Sequence, residues 1–391
     1  MQPICDIEVR TREEESINIH AIQAAGRLTA DAMKALIAYG DGYSTCDLCL
    51  KPFRLDYIKK PPIGDFYAEL AKFVNMDAAR VMPGARRAFQ AVTLSLLEKG
   101  DIALIGSMGH YSLGLAIESA GAQWKEIPAN EKKIITADAT QKKIEDVKKE
   151  TGKLPKLLAM EHFDYQMANE HEIQGIIKVA HDFGIPALYN GAYTVGVMPV
   201  DGKKLGADFV VGSGHKSMAS PAPTGVLAMN EDFAKKVFNT TVATGDVTGR
   251  KFGIKEVQLL GCTVMGAPLI AMMASFPHVK ERVKHWDEEV KKSNYFIDEI
   301  LKIEDTTCLS EHPRKHTLSK INTSGFDKVA QTHKKRGFFL TSELSERKIV
   351  GPFPGATRDW KLNTYGLSWD QVKYTAEAFK EIAEKNGLQV A

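Results

Sequence analysis

Cysteine and net charge are both scarce in this sequence of 391 residues. Five cysteines cannot form a disulfide framework for so long a chain, and their odd number leaves at least one thiol free, which predicts a reducing, cytoplasmic location. The 51 basic residues nearly balance the 49 acidic ones, so the formal net charge is +2. With a hydrophobic fraction of 44%, this balance excludes an intrinsically disordered chain and predicts two or three domains with a large core.

The sequence is predicted to contain neither a secretion signal nor a membrane-spanning segment. The N-terminal MQPICDIEVR has charged residues where a signal peptide needs an apolar run. Residues 257–279 carry no formal charge, but they include two glycines, two prolines and a histidine. This composition predicts a buried helix near an interface rather than a span through lipid, so no membrane partner is expected.

Short apolar runs alternate with helical patterns through the middle of the chain. Runs typical of buried strands occur at 102–106, 157–161, 186–190, 208–212 and 225–229. Helical apolar spacing separates most of these runs and also precedes the first. The alternation predicts an α/β fold with a mainly parallel sheet and helices on both of its faces.

The pattern changes towards both ends of the chain. Residues 1–65 are predicted to form an N-terminal arm with a helix near 17–38, and residues 66–304 to form the large α/β domain. Shorter segments follow and close with a helix near 369–386. Residues 305–391 are therefore predicted to form a smaller C-terminal α+β domain.

Polar residues that follow the apolar runs are the first candidates for a site, because ligands of an open parallel sheet collect beyond the carboxyl ends of its strands. In VMPGARRAF, a turn at Gly84 precedes Ala85 and Arg86 at the start of a helix. The backbone N–H groups of a helix start, together with an arginine, suit a phosphate group.

The segment DFVVGSGHKSM gives the sharpest signal in the sequence. Ser213 and His215 can donate to an anion, and Gly214 allows a ligand to approach the backbone closely. Lys216 is placed at the end of a strand rather than on the surface of a helix. A lysine that is partly desolvated there has a lowered pKa and can form a Schiff base as an amine nucleophile.

Three other residues follow apolar runs, with less specific signals. His110 can stack on a flat ring or move protons, and Tyr111 can donate a hydrogen bond. Capping of the next helix accounts for His110 equally well. Asn190 ends the run PALYN, where an asparagine commonly forms a turn.

The five cysteines divide into two groups. Cys5 and Cys308 are expected to pack without a chemical role. Cys46 and Cys49 form a CDLC pair in a polar loop, where thiols are poor core residues, and Cys262 lies in QLLGCTVMGAP. A zinc site would require a second such pair, which the sequence lacks.

These motifs together resemble those of the fold-type I pyridoxal-phosphate transferases. GSGHKSM and YNGAYTVGVMPVDGKKLGADF are similar to the branch that contains the cysteine desulfurases. The CDLC pair, with LLGCTVMGAP, PGARRAF and GHYS, narrows the resemblance to the O-phosphoseryl-tRNA:cysteinyl-tRNA synthases. The resemblance covers nearly the whole chain. It implies an archaeal enzyme that converts phosphoserine on cysteine tRNA into cysteine with a sulfur donor.

Position by position, the resemblance implies pyridoxal 5'-phosphate as the cofactor and Lys216 as its Schiff-base lysine. The other residues implied to contact the cofactor are Ala85, Arg86, His110, Asn190, Ser213, Gly214 and His215. The candidates to bind the substrate are Arg86, His110, Tyr111 and Arg358, with an ordinary surface salt bridge as the alternative role of Arg358. Three thiols, Cys46, Cys49 and Cys262, are implied to handle sulfur, either as persulfides or as ligands of an iron–sulfur cluster.

Asn190 departs from the related transaminases, which place an aspartate at this position. An aspartate keeps the ring nitrogen of the cofactor protonated, whereas a neutral asparagine leaves the cofactor a weaker electron sink. We therefore hypothesise that the site favours elimination of a good leaving group over transamination.

The resemblance also implies partners. Phosphoseryl-tRNA(Cys) is the implied substrate, phosphoseryl-tRNA synthetase its supplier, and a homodimer the implied assembly. Residues 311–350 contain nine Lys or Arg against four acidic residues, so this stretch is a candidate tRNA surface, with a solvated loop as the alternative. Rival functions are a cysteine desulfurase or selenocysteine-lyase-like enzyme acting on a free amino acid, and a tRNA-binding scaffold without catalysis.

Overall fold

The computed structural model describes residues 16–22, 24–39, 62–238, 244–250 and 266–391. Its strands, in chain order, are β1 (Ile17–Asn18), β2 (Ala78–Met82), β3 (Ile102–Gly106), β4 (Gln123–Ile127), β5 (Leu157–Glu161), β6 (Ala187–Gly191), β7 (Phe209–Ser213), β8 (Gly225–Met229), β9 (Thr306–Cys308), β10 (Leu318–Thr323), β11 (Ile349–Val350) and β12 (Asp359–Asn363). Its α-helices are α1 (Ala30–Ala38), α2 (Ile63–Phe73), α3 (Ala85–Leu96), α4 (Tyr111–Ser119), α5 (Ala137–Thr151), α6 (Ile173–Asp182), α7 (Gly202–Leu205), α8 (Gly214–Ser217), α9 (Glu231–Val237), α10 (Gly266–Arg282), α11 (Trp286–Ile300), α12 (Ser324–Thr332), α13 (Phe338–Glu346) and α14 (Trp369–Lys385).

The main sheet has the strand order β2-β8-β7-β6-β5-β3-β4 among the described residues. The strands from β7 to β4 in this order pair in parallel, whereas β8 pairs antiparallel with both β7 and β2. Helices connect most of the parallel strands, as a crossover between parallel strands requires. The predicted α/β fold with a mainly parallel sheet is therefore confirmed.

Helices cover both faces of this sheet, which explains why its central strands are apolar throughout. All five residues are buried in each of β3, β5, β6, β7 and β8. Because side chains alternate along a strand, Leu104 and Val210 join the core beneath α2, α5, α6 and α10. Ile105 and Val211 point the other way and join the core beneath α3 and α4.

The described residues divide into two units, 25–286 and 16–24 together with 287–391. The smaller unit contains the antiparallel sheet β12-β10-β9 and the parallel pair β1-β11. Its core includes Phe296, Ile297 and Ile300 of α11. Because the apolar face of α11 is buried there, the division lies after Trp286 and not at the predicted residue 304.

The helix predicted near 17–38 is correct only from residue 30 onwards. The first two residues of that range form β1, which pairs with β11. Thr29 then starts α1, because its hydroxyl accepts the backbone N–H of Ala32 as an N-terminal cap. Most of the remainder of the predicted arm, including residues 40–61, lies outside the described residues.

No helix in the described part of the chain is long and apolar enough to cross a membrane. The described end of the uncharged stretch belongs to α10, which contains Pro277. Met272, Phe276 and Val279 of this helix are buried in the core of the larger unit. This burial agrees with the prediction of a buried helix.

Candidate active site

The candidate residues of the larger unit lie along one edge of the main sheet. Asn190, near the end of β6, pairs in register with Glu161 at the end of β5. Ser213, at the end of β7, is opposite Gly225, where the antiparallel strand β8 begins, and Gly225 is also opposite Met82 at the end of β2. Residues that are far apart in sequence thus meet where the parallel strands end, as expected for a ligand site in an open α/β sheet.

The start of α3 forms one side of this edge. Gly84 has φ +92°, a conformation that favours glycine, and it turns the chain from β2 into the helix. A Cβ added at Gly225 would lie 2.6 Å from the Gly84 carbonyl carbon and 2.7 Å from the Ala85 nitrogen, so only glycine permits this close approach. The N–H groups of Ala85 and Arg86 occupy the first turn of α3, where the helix supplies no acceptor for them.

Ser213 and Gly214 continue the edge with different roles. The Ser213 side chain is buried, and its hydroxyl has no hydrogen-bond partner among the described residues, which marks a place for a polar ligand atom. The N–H of Gly214 already donates to the Thr224 carbonyl at 2.9 Å. A Cβ at Gly214 would lie 2.5 Å from both Met272 Cε and Thr224 Oγ1, so close packing requires this glycine.

His215 and Lys216 form the turn after β7. His215 Nδ1 is 3.2 Å from the Thr224 carbonyl oxygen, which can only accept, so Nδ1 carries the proton. Burial is the main cause that lowers the pKa of His215, and the charge of Lys216 adds to it. The Lys216 amine lies 4.6 Å from the ring centre of Tyr193. Burial also raises the pKa of Tyr193, so its phenol stays protonated beside the amine.

His110 caps α4, as one of its two predicted roles requires. Its Nδ1 accepts the N–H of Ser112 at 3.3 Å and lies 2.8 Å from the Ser112 hydroxyl. Its ring centre is 4.3 Å from that of Tyr111 and 4.9 Å from that of Tyr165. Arg86 Nη2 donates to the exposed Tyr111 hydroxyl at 3.1 Å, which brings Arg86 and the start of α4 together.

Glu161 joins two of the predicted residues, although the sequence did not single it out. Its Oε1 accepts the backbone N–H of His110 at 2.9 Å and the side-chain amide of Asn190 at 3.0 Å. Its Oε2 is buried and has no hydrogen-bond partner in the part of the chain that the structure describes. Burial raises the pKa of Glu161 from the ordinary 4.5 to about 7. A charged residue at the end of the apolar run LLAME was the signal that could have revealed it.

Arg282, on α10, supports the turn from behind and was also missed. Its guanidinium donates to the carbonyl oxygens of Ser217 at 2.6 Å, Gly196 at 3.0 Å and Ala25 at 3.0 Å. The Ala25 carbonyl also accepts the N–H of Ala219 at 3.1 Å. These contacts hold the residues that follow Lys216 against α10. No local sequence pattern predicts them.

The remaining candidates lie elsewhere. Arg358 is exposed on the loop before β12 in the smaller unit, so its proposed substrate role stays a prediction. Cys46, Cys49 and Cys262 lie outside the described residues, as does Cys5. The Cys308 side chain packs against the core of the smaller unit.

The prediction that the basic stretch 311–350 forms a surface is wrong for one of its basic residues, Arg314. Arg314 is 2% exposed, and its guanidinium donates to Ser319 Oγ and to the carbonyl oxygens of Glu311 and Leu318. Arg314 therefore stabilises the interior of the smaller unit. Lys334, Lys335 and Arg336 are exposed.

Comparison with known proteins decides the family. The family model described as O-phosphoseryl-tRNA(Sec) selenium transferase, SepSecS, matches residues 81–384. An O-phospho-L-seryl-tRNA:Cys-tRNA synthase 1 from Methanococcoides burtonii is 64% identical over 386 residues, which are 98% of this chain and 84% of that protein. The chain belongs to the family of the O-phospho-L-seryl-tRNA:Cys-tRNA synthases. The resemblance found in the sequence motifs is thereby confirmed.

Solved structures agree with membership of the O-phospho-L-seryl-tRNA:Cys-tRNA synthase family. A chain in the crystal structure of a SepCysS-SepCysE N-terminal domain complex has a TM-score of 0.88 and 40% identity, with 97% of both chains covered. The apo structure of a cysteine desulfurase from Thermococcus onnurineus has a TM-score of 0.69 and 18% identity, with 95% of this chain and 96% of that one covered, and this likeness shows the fold alone. The predicted fold-type I transferase fold is confirmed.

Proposed function

We propose that this chain converts phosphoserine esterified to cysteine tRNA into cysteine, by eliminating phosphate and adding sulfur. The observation that carries the proposal is the 64% identity to a synthase named for this substrate, across 98% of the chain. The site supports the proposal independently, because three kinds of group lie along the same edge of the main sheet. They are the amine of Lys216, the anion-binding candidates at Ser213 and the start of α3, and the buried amide of Asn190. The likeness to a cysteine desulfurase, at 18% identity, supports the fold and not the rival function.

The residues at the sheet edge fit pyridoxal phosphate. Ser213 Oγ is buried and has no partner within the described ranges, and the first N–H groups of α3 have no intrahelical acceptor, so both suit the phosphate group. Ala85, Arg86, Ser213 and His215 would hold this phosphate, Asn190 the ring nitrogen, and Lys216 the reactive carbon. Gly214 contributes by close packing, because its N–H is already engaged by Thr224.

The chain's own groups then divide the work of the reaction. When bound, the cofactor supplies a ring that withdraws electrons from the α-carbon of the amino acid. The Lys216 amine takes the α-proton as general base and later returns a proton. Arg86 and His110 stabilise the negative charge of the departing phosphate. Tyr193 places its ring beside the amine and, because burial raises the pKa of its phenol, does not act as a competing base.

Sulfur handling is assigned to the three thiols outside the described residues. In one alternative, one of Cys46, Cys49 and Cys262 would carry the sulfur as a persulfide, and the other two thiols would supply the two electrons that its outer sulfur needs by forming a disulfide, which an external thiol then reduces. In the other, the three thiols would hold an iron–sulfur cluster. The two-residue spacing of the CDLC pair suits either. Both require thiolates that the described residues do not supply, since Cys308 packs in the smaller unit and burial raises its pKa.

A patch on the smaller unit fits the tRNA. Lys334 and Arg336 are exposed after α12, and the neighbouring Phe338 is 58% exposed. A Cβ at Gly355 would lie 3.6 Å from the Phe338 ring, so the segment with Phe353, 79% exposed, passes beside it. Basic side chains interleaved with exposed aromatic rings suit a single-stranded RNA end, which offers phosphates and unstacked bases.

The proposed partners follow from the substrate. Phosphoseryl-tRNA synthetase delivers phosphoseryl-tRNA(Cys). A donor protein supplies sulfur at the oxidation level of a persulfide, whereas sulfide adds to the substrate directly, without a persulfide. The related chain was solved in a SepCysS-SepCysE complex, which supports a protein partner for this chain as well. We also place the enzyme in the cytoplasm, where aminoacylated tRNA is used, and expect a homodimer.

Cofactor spectra test the site directly. The wild-type chain with pyridoxal phosphate should acquire the absorption band of a lysine-bound cofactor, and Lys216→Ala should lack it because no amine remains at that position. Lys178→Ala, which removes an exposed lysine of α6, should keep the band. A band that persists in Lys216→Ala would contradict the assignment. Release of sulfur from free cysteine at the rate of a desulfurase would favour the rival function.

A further inference from the structure

The amide of Asn190 is held in one orientation by two contacts from opposite sides. Its Oδ1 accepts the backbone N–H of Ala192 at 3.2 Å, and its Nδ2 donates to Glu161 Oε1 at 3.0 Å. A backbone N–H can only donate, and Glu161 Oε1 already accepts the N–H of His110 at 2.9 Å. Reversal of the amide would therefore place donor against donor and acceptor against acceptor.

Within the described part of the chain, this fixed orientation leaves one hydrogen of Asn190 Nδ2 uncommitted. An amide nitrogen carries two hydrogens, and Glu161 takes one of them. The Asn190 side chain is 3% exposed and Glu161 is 3% exposed, so bulk water does not serve this hydrogen. The group available to a ring nitrogen at this position is thus a donor, and a donor pairs with an unprotonated nitrogen.

We propose that Glu161 is a positioning residue that keeps Asn190 a hydrogen-bond donor towards the ring nitrogen of the cofactor, which stays unprotonated. The proposal rests on the function proposed above and deepens it, because it assigns a role to a residue that touches neither substrate nor cofactor. Through the same oxygen, Glu161 also fixes the backbone of His110. One carboxyl group thereby sets the positions of two residues assigned to the cofactor.

The experiment measures the protonation state of the ring nitrogen. In the wild-type chain loaded with ¹⁵N-labelled pyridoxal phosphate, we expect the nitrogen NMR signal of an unprotonated, hydrogen-bonded pyridine at neutral pH. Glu161→Leu removes the acceptor and frees the amide to turn, so the signal should move to the protonated position. The dissociation constant of the cofactor should rise about tenfold, which corresponds to about 1.4 kcal/mol. Glu161→Gln keeps an acceptor oxygen and should restore the wild-type signal.

Asp208 and Asn230 provide a matched control. Asp208 precedes β7 at the opposite edge of the same sheet, and its Oδ1 accepts the Asn230 amide at 3.0 Å. Asp208→Leu therefore removes an equivalent carboxylate–asparagine contact away from the site. It should lower the stability of the chain and leave the ring-nitrogen signal unchanged.

The outcomes separate this inference from the proposed function. A wild-type chain that binds pyridoxal phosphate with a protonated ring nitrogen overturns the inference alone, whether or not Glu161→Leu folds. An unchanged signal in a folded Glu161→Leu variant overturns it as well. A wild-type chain that does not bind the cofactor overturns the proposed function and this inference together.

Discussion

At the residue scale, the side chains of the site are constrained by their neighbours. Each of them is left with one chemical role. Ser213 offers a hydroxyl that no other described residue engages, and burial holds Tyr193 in its protonated form. Glu161 orients Asn190 and the backbone of His110 with one oxygen. Such mutual constraint is typical of preorganised sites, where side chains need little rearrangement when a ligand arrives.

The raised pKa of Glu161 makes a prediction about stability. Between pH 4.5 and about 7 the folded chain holds a proton on Glu161 that the unfolded chain has lost. This group's contribution therefore weakens folding as the pH rises through that range, by roughly 3 kcal/mol in all. Asp164 and the backbone of His110 also face Glu161, and both remain in the Glu161→Gln variant.

Urea unfolding of cofactor-free wild-type and Glu161→Gln proteins measures the pH dependence of stability that Glu161 causes. The stability of the variant relative to the wild type should increase as the pH rises from 4.5 to about 7 and then level off. Groups common to both proteins cancel in the difference. A difference that does not change with pH would show that Glu161 titrates as it does in water.

Asn190→Asp tests the choice between elimination and transamination. An aspartate beside the ring nitrogen favours its protonation and makes the cofactor a stronger electron sink. We expect transamination side products to rise severalfold relative to the cysteine formed. The measurement is their ratio by mass spectrometry. No rise in a variant that still binds the cofactor would count against the hypothesis.

At the element scale, the sequence predicted the main sheet well because its signals are local. A fully buried strand of five apolar residues, such as β3 or β5, is visible without knowledge of its partners. The segment at 17–29 was mistaken for helix because the pairing of β1 with β11 spans more than 300 residues and leaves no local trace. Arg282 was missed for the same reason, since the three carbonyl groups that it binds come from distant segments.

The candidate site shows the same limit. Residues at strand ends, such as Ser213 and Lys216, were predictable because they follow recognisable runs. The link between Glu161 and Asn190 depends on which strands become neighbours, and the order β7-β6-β5 is a tertiary property. Sequence motifs thus located the edge of the sheet but not the contacts that orient its side chains.

The contact between the chain near α1 and the turn of Lys216 can be tested with Gly26. A Cβ at Gly26 would lie 1.9 Å from the His215 carbonyl oxygen, so one of the two backbone segments must move. Gly26→Ala should reduce stability by about 1–3 kcal/mol and weaken cofactor binding, as measured by urea unfolding and by titration with pyridoxal phosphate.

Gly175→Ala in α6 is the control for Gly26→Ala. Its added Cβ would meet only the Ala137 Cβ, at 3.1 Å, and alanine favours the helix. This variant should bind the cofactor like the wild type. If Gly26→Ala matched it in both measurements, the packing of residue 26 against the turn would be irrelevant to the site.

At the scale of the whole molecule, the balanced total charge conceals local asymmetry. Replacement of Lys334, Lys335 and Arg336 by glutamine should weaken tRNA binding and reduce its salt dependence by about one unit of slope for each phosphate that these side chains neutralise. Replacement of Lys142, Lys148 and Lys149 on α5 makes the same charge change elsewhere and should have little effect. Equal salt slopes for the two triple variants would remove the patch from the tRNA surface.

Analysis of the amino acid on the tRNA shows whether this chain converts phosphoserine into cysteine. Cofactor-loaded protein is supplied with phosphoseryl-tRNA(Cys) and sulfide, and the amino acid on the tRNA is identified after hydrolysis of the ester. We predict cysteine on the tRNA with the wild-type and Lys178→Ala proteins, and phosphoserine that remains unchanged with Lys216→Ala. Unchanged phosphoserine with the loaded wild-type protein, or equal conversion by Lys216→Ala, would contradict the proposed function.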